Sequence, residues 1–252
     1  MQFKNKIIEN LYKISSPERY TGNEWNTINK DWNQDRLKVA LAFPDVYEIG
    51  MSHLGLKILY HLINRGDNML AERVYAPWQD MEDLMKEEEI PLYTLESYHE
   101  IKDFDILGFT LQYEMSYTNI LNMLDLSGLS IYASERGEDD PLIIAGGSTV
   151  FNSEPIADFI DLFFIGEAES FIIELLNEYK SLKAEGLAKT EILSKLNKMD
   201  GVYVPSLYSE EYGDSGEILA LNSAEGEKER VKKQVVQNLD QAFYPTDFIV
   251  PY

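Results

Sequence analysis

The chain contains no cysteine, and only three histidines occur among its 252 residues. Without thiols it cannot form a disulfide, a thiolate metal site, an iron-sulfur cluster or a thiol nucleophile of its own. His53, His61 and His99 are too scattered in sequence to form a zinc motif. We therefore assign no metal ligand and no catalytic residue to this chain.

Basic residues are also few, because 22 Lys and Arg stand against 44 Asp and Glu, a formal net charge of -22. The phosphate backbone repels such a chain, so we expect the isolated chain not to bind nucleic acid. The simplest role of the acidity is solubility. No apolar run approaches the ~20 residues that span a bilayer, and MQFKNKIIEN lacks the apolar core of a secretory signal. We expect no membrane contact and a cytoplasmic location.

Sequence motifs for phosphate binding and for nucleophilic catalysis are missing as well. There is no G-x-x-x-x-G-K-[ST], no G-x-G-x-x-G after a strand and no G-x-S-x-G. Glu167 and Glu169 could be an acid and a base, but we predict that they lie in the first turn of a helix, where they complement its dipole. A hydrolase or transferase that uses Asp45 and Glu167 is therefore the least favoured hypothesis.

What the chain does contain is a strand, a loop and a helix in residues 37–63, LKVALAFPDVYEIGMSHLGLKILYHLI. Residues 37–43 are apolar on both faces, as a central parallel strand requires. Pro44 ends the strand, and Gly50 offers a backbone without a Cβ before the helix. The helix is predicted to turn one apolar stripe toward the sheet; the stripe consists of Leu54, Ile58, Leu59, Leu62 and Ile63.

The same pattern of strands and helices recurs as far as residue 185. We predict strands at 69–75, 91–95, 104–111, 142–145 and 162–165, and helices at 78–89, 113–126, 167–183 and 190–198. Alternation of this kind predicts an α/β fold with a doubly wound, mostly parallel sheet.

Two segments flank this predicted domain of residues 37–200. Residues 1–36 form a short helix and an aromatic, polar arm, whose Tyr20, Trp25 and Trp32 are costly to leave in water. We expect the arm to lie on the domain or on a neighbour. Residues 201–252 change to two alternating strands around a glycine turn, which predicts a β-hairpin followed by a linker.

Candidate binding residues come from the loops that follow three predicted strands. They are Asp45, Tyr47 and Gly50; Thr110 and Gln112; and Gly146, Gly147 and Ser148. Parallel strands bring such loops to one edge of the sheet, where a mixture of glycines, hydroxyls and a carboxylate suits a flat cofactor. The alternative from the residues alone is that the glycines only make turns and Asp45 only caps a helix.

Several long blocks resemble one protein family in the right order. FPDVYEIGMSHLGLKILY, GFTLQYEMSYTNIL and GGSTVFNSEPIADFIDLFFIGEAE are similar to the N-terminal part of radical SAM proteins that place a cobalamin-binding-like domain ahead of the radical SAM barrel. The resemblance covers most of residues 16–185. It implies a cobalamin-binding or flavodoxin-like Rossmann domain, with cobalamin as the possible cofactor.

In cobalamin-binding domains the first strand is followed by D-x-H-x-x-G, whose histidine is the lower cobalt ligand. Here that frame runs from Asp45 to Gly50, with Tyr47 in the place of the histidine. Thr110 falls where a loop would meet the corrin tail, and Gly146 and Gly147 match a later glycine pair. The resemblance implies either cobalamin without a histidine ligand or a fold that has kept its shape without the cofactor.

The resemblance also implies a parent enzyme whose barrel, downstream in the same polypeptide, holds a four-iron four-sulfur cluster and S-adenosylmethionine. PTDFIVPY resembles the linker to that barrel, so we expect residues 224–252 to be poorly ordered or to leave apolar surface bare. The chain itself is then an accessory domain. The alternative function is a structural domain that docks on the barrel and binds no small molecule.

Overall fold

The main sheet of the computed structural model, which describes residues 2–250, has six strands in the order β2-β1-β3-β4-β5-β6. All neighbouring strands are parallel except β5 and β6. The strands are β1 Leu37–Phe43, β2 Met69–Tyr75, β3 Ile106–Thr110, β4 Leu142–Gly146, β5 Leu162–Phe164 and β6 Val202–Tyr203. The predicted α/β fold with a mostly parallel sheet is confirmed.

Helices cover both faces of this sheet. They are α1 Gln2–Asn10, α2 Tyr47–Ser52, α3 Leu54–Asn64, α4 Gln79–Glu87, α5 Tyr117–Leu126, α6 Ile172–Ala184 and α7 Lys189–Asn197. All seven residues of β1 are buried; Ala40 and Ala42 face α1, α4 and α5, and Val39 and Leu41 face α3, α6 and α7. Burial on both sides explains the nearly continuous apolar sequence of β1. Within the described residues, no helix is long and apolar enough to cross a bilayer.

The helix after β1 differs from the prediction. It is divided into α2 and α3, because His53 has an extended backbone and its Nδ1 accepts a hydrogen bond from the Leu56 N–H at 3.1 Å. This new N-cap starts the second helix in a different phase. The fully buried apolar side chains of α3 are Leu56, Tyr60 and Ile63. Of the predicted stripe, Ile63 is buried, Leu59 and Leu62 are partly buried against the same core, and Leu54 is exposed.

The predicted strand at 91–95 is wrong. This part of the chain contains only an isolated bridge between Tyr93 and Glu100. The segment instead closes the open edge of β2: the Leu95 N–H donates to the Arg73 carbonyl at 2.9 Å, and the Glu96 carboxylate accepts from the Arg73 N–H at 2.7 Å. The Glu96 side chain supplies a hydrogen bond that a neighbouring strand would supply from its backbone, so this segment does not form a strand next to β2.

The N-terminal arm packs largely against the domain. Tyr20 is buried, and Trp32 stacks on His99 with ring centroids 3.6 Å apart. Trp25 behaves differently, because 85% of its surface is exposed. The arm is therefore held in place by the packing of Tyr20 and Trp32, and Trp25 does not contribute.

A buried arginine ties the arm to β2. Arg73 is 1% exposed, and its guanidinium donates to the carboxylate of Glu24 at 3.0 and 2.8 Å and to that of Glu96 at 2.5 Å. Burial alone would raise the pKa of Glu24, but hydrogen bonds from Arg73 and its charge outweigh that effect and lower the pKa to about 2. Glu24 therefore stays ionised and paired.

Glu72, next to Arg73 on β2, is a further buried carboxyl group. Its Oε2 accepts hydrogen bonds from the hydroxyls of Thr94 and Ser97 at 2.5 and 2.6 Å. Burial, and then the charge of Glu96, raise the pKa of Glu72 from 4.5 to about 7. The folded chain thus holds this proton more tightly than the unfolded chain. The contribution of Glu72 to stability is complete below pH 4.5 and is lost as the pH rises through 7.

We expect Glu72→Gln to remove this pH dependence. Its free energy of unfolding relative to the wild type should increase by about 3 kcal/mol between about pH 4.5 and about pH 8, since one pKa unit is worth about 1.4 kcal/mol. Urea unfolding at the two pH values measures the change. Glu174→Gln, at an exposed position on α6, is the control and should show no such change. A constant difference for Glu72→Gln would contradict the prediction.

The C-terminal part begins inside the main sheet, where β6 pairs with β5. The predicted hairpin is present as β7 Tyr208–Tyr212 and β8 Ile218–Ser223. In the tail, Ile249 is buried and Gln234 pairs with Gly166, whereas Leu239 and Tyr244 are 70% and 55% exposed. The tail therefore leaves apolar surface bare. The prediction for Pro251 and Tyr252 lies outside the described residues.

Candidate functional site

Loops that follow β1, β3, β4 and β5 meet along the carboxyl edge of the sheet. A cavity of about 260 Å³ lies there between the sheet and helices α3 and α6, and we call it the sheet-edge cavity. Its walls are mainly apolar and include Val39, Leu41, Ile58, Leu59, Ile144 and Phe164. Its polar lining residues are His53, Thr110, Gln112, Glu167 and Glu169. The chain therefore has an apolar cavity with polar groups among its lining residues.

Gly108 of β3 lies in the wall that the sheet contributes to this cavity. It is a glycine in the interior of β3, where a side chain would normally fill the space between sheet and helix. A Cβ at Gly108 would point toward Ile144 and Leu41, at 3.5 and 3.8 Å, which are ordinary contact distances. The missing side chain, and not a backbone requirement, leaves the space empty. Ile58 and Leu59 are only half-buried because they line this space.

A second recess of about 340 Å³ adjoins the cavity, and we call it the switch-point recess. It lies between the ends of β1 and β3, where the sheet order reverses direction and open α/β sheets bind ligands. Asp45, Ser52 and Ser116 line it. Three further lining residues, His53, Thr110 and Gln112, also line the sheet-edge cavity. The two spaces therefore share part of their lining, and we treat them as one candidate site.

His53 lies at the junction of the two spaces in its neutral form. Its Nδ1 accepts the Leu56 N–H, so the proton of the neutral ring is on Nε2. Burial lowers the pKa of His53, and a hydrogen bond with Gln112 only partly opposes this shift. The ring is therefore a hydrogen-bond donor at this point. A nitrogen that carries a proton has no lone pair for a metal ion.

Glu167 and Glu169 lie in the loop after β5 and not in a helix, because α6 begins only at Ile172. The tail holds this loop extended: the Glu167 N–H donates to the Gln234 carbonyl at 3.0 Å, and the Glu167 carboxylate accepts from the Val236 N–H at 2.5 Å. The prediction that both glutamates lie in the first helical turn is therefore wrong. They line the sheet-edge cavity instead.

The structure brings five of the eight predicted site residues together around these two spaces. Thr110, Gln112, Gly146 and Gly147 line the sheet-edge cavity, and Asp45 lines the switch-point recess. Asp45 Oδ1 also accepts the Val46 N–H at 2.7 Å, and so stabilises its own turn.

The other three predicted residues have different surroundings. The Tyr47 hydroxyl donates to Glu24 at 2.9 Å, in the network around Arg73. Gly50 is buried in α2, where a Cβ would lie 2.3 Å from the Tyr75 ring, so the residue permits helix packing. Ser148 is exposed and donates to the Gln112 carbonyl at 3.0 Å.

Sequence reasoning missed Gly108 and His53 as site residues. A glycine in the interior of an apolar strand was the available signal for Gly108, since such a residue marks a close approach or an empty space. No comparable signal exists for His53, because its position depends on where α2 ends. Among the described residues, no group of three or more His, Asp or Glu side chains could hold a metal ion.

Comparison with known proteins gives two findings. The family described as "Radical SAM proteins, N-terminal" matches residues 55–205, which is more than half of the chain. An uncharacterized protein of Methanocaldococcus jannaschii is 27% identical over 176 residues, a match that covers 69% of this chain and 33% of the relative. The match therefore spans about a third of the length of that curated relative. By the family match, this chain belongs to the N-terminal domain family of radical SAM proteins.

Proposed function

We propose that this chain is an accessory domain of a radical SAM protein and binds a small organic ligand next to the barrel, with cobalamin as the candidate cofactor. The proposed binding site, which we call the shelf, consists of the sheet-edge cavity and the switch-point recess. One observation carries the proposal: an apolar cavity of about 260 Å³ lies at the carboxyl edge of a parallel sheet, open because Gly108 has no side chain. This is where ligands of open α/β sheets bind.

The residues around the shelf suit an apolar part of cobalamin but not its cobalt. The sheet-edge cavity could take an apolar ring system of the cofactor between Leu41, Ile144 and Leu59. Tyr47, in the lower-ligand frame, has its hydroxyl bonded to Glu24. His53 has its Nδ1 occupied and its Nε2 protonated. A cobalamin held here would bind through its organic part, without a histidine on the metal.

Radical chemistry belongs to the proposed barrel. A radical SAM barrel supplies reductive cleavage of S-adenosylmethionine at a four-iron four-sulfur cluster, and this chain has no cysteine to hold that cluster. The part left to the present residues is to bind and orient a ligand and to exclude water from its apolar portion.

A titration with hydroxocobalamin tests this assignment. We expect weak binding, and we expect the visible absorption spectrum of the bound cofactor to be the same for the wild type and for His53→Ala. His53→Ala should cost about 1 kcal/mol of stability through loss of the α3 cap. His99→Ala, which removes a histidine distant from the shelf, is the control. Tight binding with a histidine-ligated spectrum that disappears in His53→Ala would refute the assignment.

A second candidate function is an interaction domain that binds no small molecule. It is favoured by exposed apolar side chains outside the shelf, such as Leu219 on the hairpin and Leu239 in the tail, which are 60% and 70% exposed. Patches of this kind mark protein contacts. Failure of every probe to bind in the sheet-edge cavity would favour this function over the first.

A further inference from the structure

The charges around the shelf indicate which class of ligand it accepts. We infer that the sheet-edge cavity binds the flat apolar body of an organic ligand that carries a net positive charge. The inference rests on the proposed function, because it specifies the ligand of the same shelf.

Every ionised side chain among the described residues that line the two spaces is acidic. Glu167 and Glu169 line the sheet-edge cavity, and Asp45 lines the switch-point recess. These lining residues include no lysine and no arginine, and burial lowers the pKa of His53, which leaves its ring neutral. The whole chain adds a net charge of -22. The resulting potential attracts cations and repels anions.

Backbone positions that could attract an anion are engaged or offset by a carboxylate at three points around the two spaces. At the N-terminus of α3, the Leu56 N–H is bonded to His53. Glu169 precedes the N-terminus of α6, and its charge offsets the positive end of the helix dipole. After the glycine pair of β4, the Thr149 N–H donates to the Leu111 carbonyl at 3.2 Å.

The walls of the cavity define the rest of the ligand. Leu41, Ile144 and Phe164 come from β1, β4 and β5 and form the apolar wall on the sheet side, while Ile58 and Leu59 of α3 also line the cavity. A space between a sheet and a helix suits a flat ring. Sheets with this strand order also bind flat anionic cofactors at the switch point, and here the three carboxylates disfavour a ligand with a net negative charge.

A pair of fluorescent probes tests the inference on the whole chain. Thioflavin T is a flat organic cation, and 1-anilinonaphthalene-8-sulfonate is an apolar anion of similar size. We expect thioflavin T to bind at low ionic strength and the anion to bind at least about 10-fold more weakly. Gly108→Leu, which fills the cavity, should abolish the thioflavin T signal.

Charge variants then locate the source of the selectivity. Glu169→Gln should weaken thioflavin T binding by about 3- to 10-fold at low salt, and added salt should reduce the difference. Glu174→Gln is the matched control, because it removes one charge from an exposed site on α6. It should change the affinity by less than about twofold.

The possible failures separate the two proposals. If neither probe gives a signal that Gly108→Leu removes, the proposed shelf itself is wrong. If both probes bind in a Gly108-dependent manner with equal affinity, the shelf stands and the inference about cations is overturned. Equal effects of Glu169→Gln and Glu174→Gln would also overturn it, because they would show that only the overall charge matters.

Discussion

Gly108→Leu is expected to abolish binding in the sheet-edge cavity while the fold stays intact. The new Cβ would lie 3.5 Å from Ile144 and 3.8 Å from Leu41, so it fits without displacing the backbone. The rest of the leucine side chain would then occupy the empty space. A ligand ring that buries about 120 Å² of apolar surface there would lose about 3 kcal/mol, or about 100-fold in affinity. Titration with thioflavin T and with hydroxocobalamin measures the loss.

Stability should change little or increase in the same variant. Glycine in a strand interior costs about 0.5–1 kcal/mol, and leucine removes that cost and buries apolar surface. Gly137→Leu, at an exposed turn where a Cβ would approach only the Asp140 carboxylate at 3.9 Å, is the matched control for binding. Wild-type affinity in Gly108→Leu would show that ligands bind elsewhere. A large loss of stability would show that the space is needed for packing.

Arg73→Met is expected to destabilise the chain by about 3–5 kcal/mol, because it leaves two buried carboxylates without their counter-charge. Arg73 bonds Glu24 of the arm and Glu96 of the segment that closes the edge of β2. That cost is a large part of the about 5–15 kcal/mol that stabilises a typical domain. Urea unfolding measures it, and limited proteolysis should show faster cleavage within residues 14–36 as the arm detaches.

Two further variants separate pairing from packing at this site. Arg230→Met makes the same change at an exposed position and should alter stability by less than about 0.5 kcal/mol. Adding Glu24→Gln and Glu96→Gln to Arg73→Met removes the uncompensated charges. It also keeps oxygen acceptors for the backbone N–H of residue 73 and for the Tyr47 hydroxyl. We expect this triple variant to recover at least half of the loss. A cost below about 1 kcal/mol for Arg73→Met alone would contradict this explanation.

The apolar strands were the most predictable part of the fold. The predicted limits of β1 and β2 agree with the structure. For β1 the reason is that a strand buried on both faces needs a mainly apolar sequence, which here ends at Pro44. Residues 91–95 resemble such a strand in composition. However, only Leu95 bonds the edge of β2 through its backbone, and the next bond comes from the side chain of Glu96. Composition does not show whether a backbone acceptor or a side chain will supply a hydrogen bond.

The site was predictable only in outline. That the loops after β1, β3 and β4 converge follows from parallel pairing, and it brings Asp45, Thr110 and Gly146 to the same edge. The surroundings of Tyr47 were not predictable, because they depend on Glu24 and Arg73. These two residues lie 23 positions before Tyr47 and 26 positions after it. Likewise, the sequence around Glu167 favours a helix, but in the structure Glu167 is bonded to Val236 of the tail and lies before the start of α6.

By itself, the sequence determined the class of fold, the family and the absence of thiol chemistry, since these depend on periodicity, on long matching blocks and on composition. Only the tertiary structure decided which polar groups line the cavity and which serve to hold the arm and tail. The physical reason is that burial, charge pairing and the empty volume above Gly108 arise from residues distant in sequence. Their effects exist only when the sheet, α3, α6 and the tail are packed together.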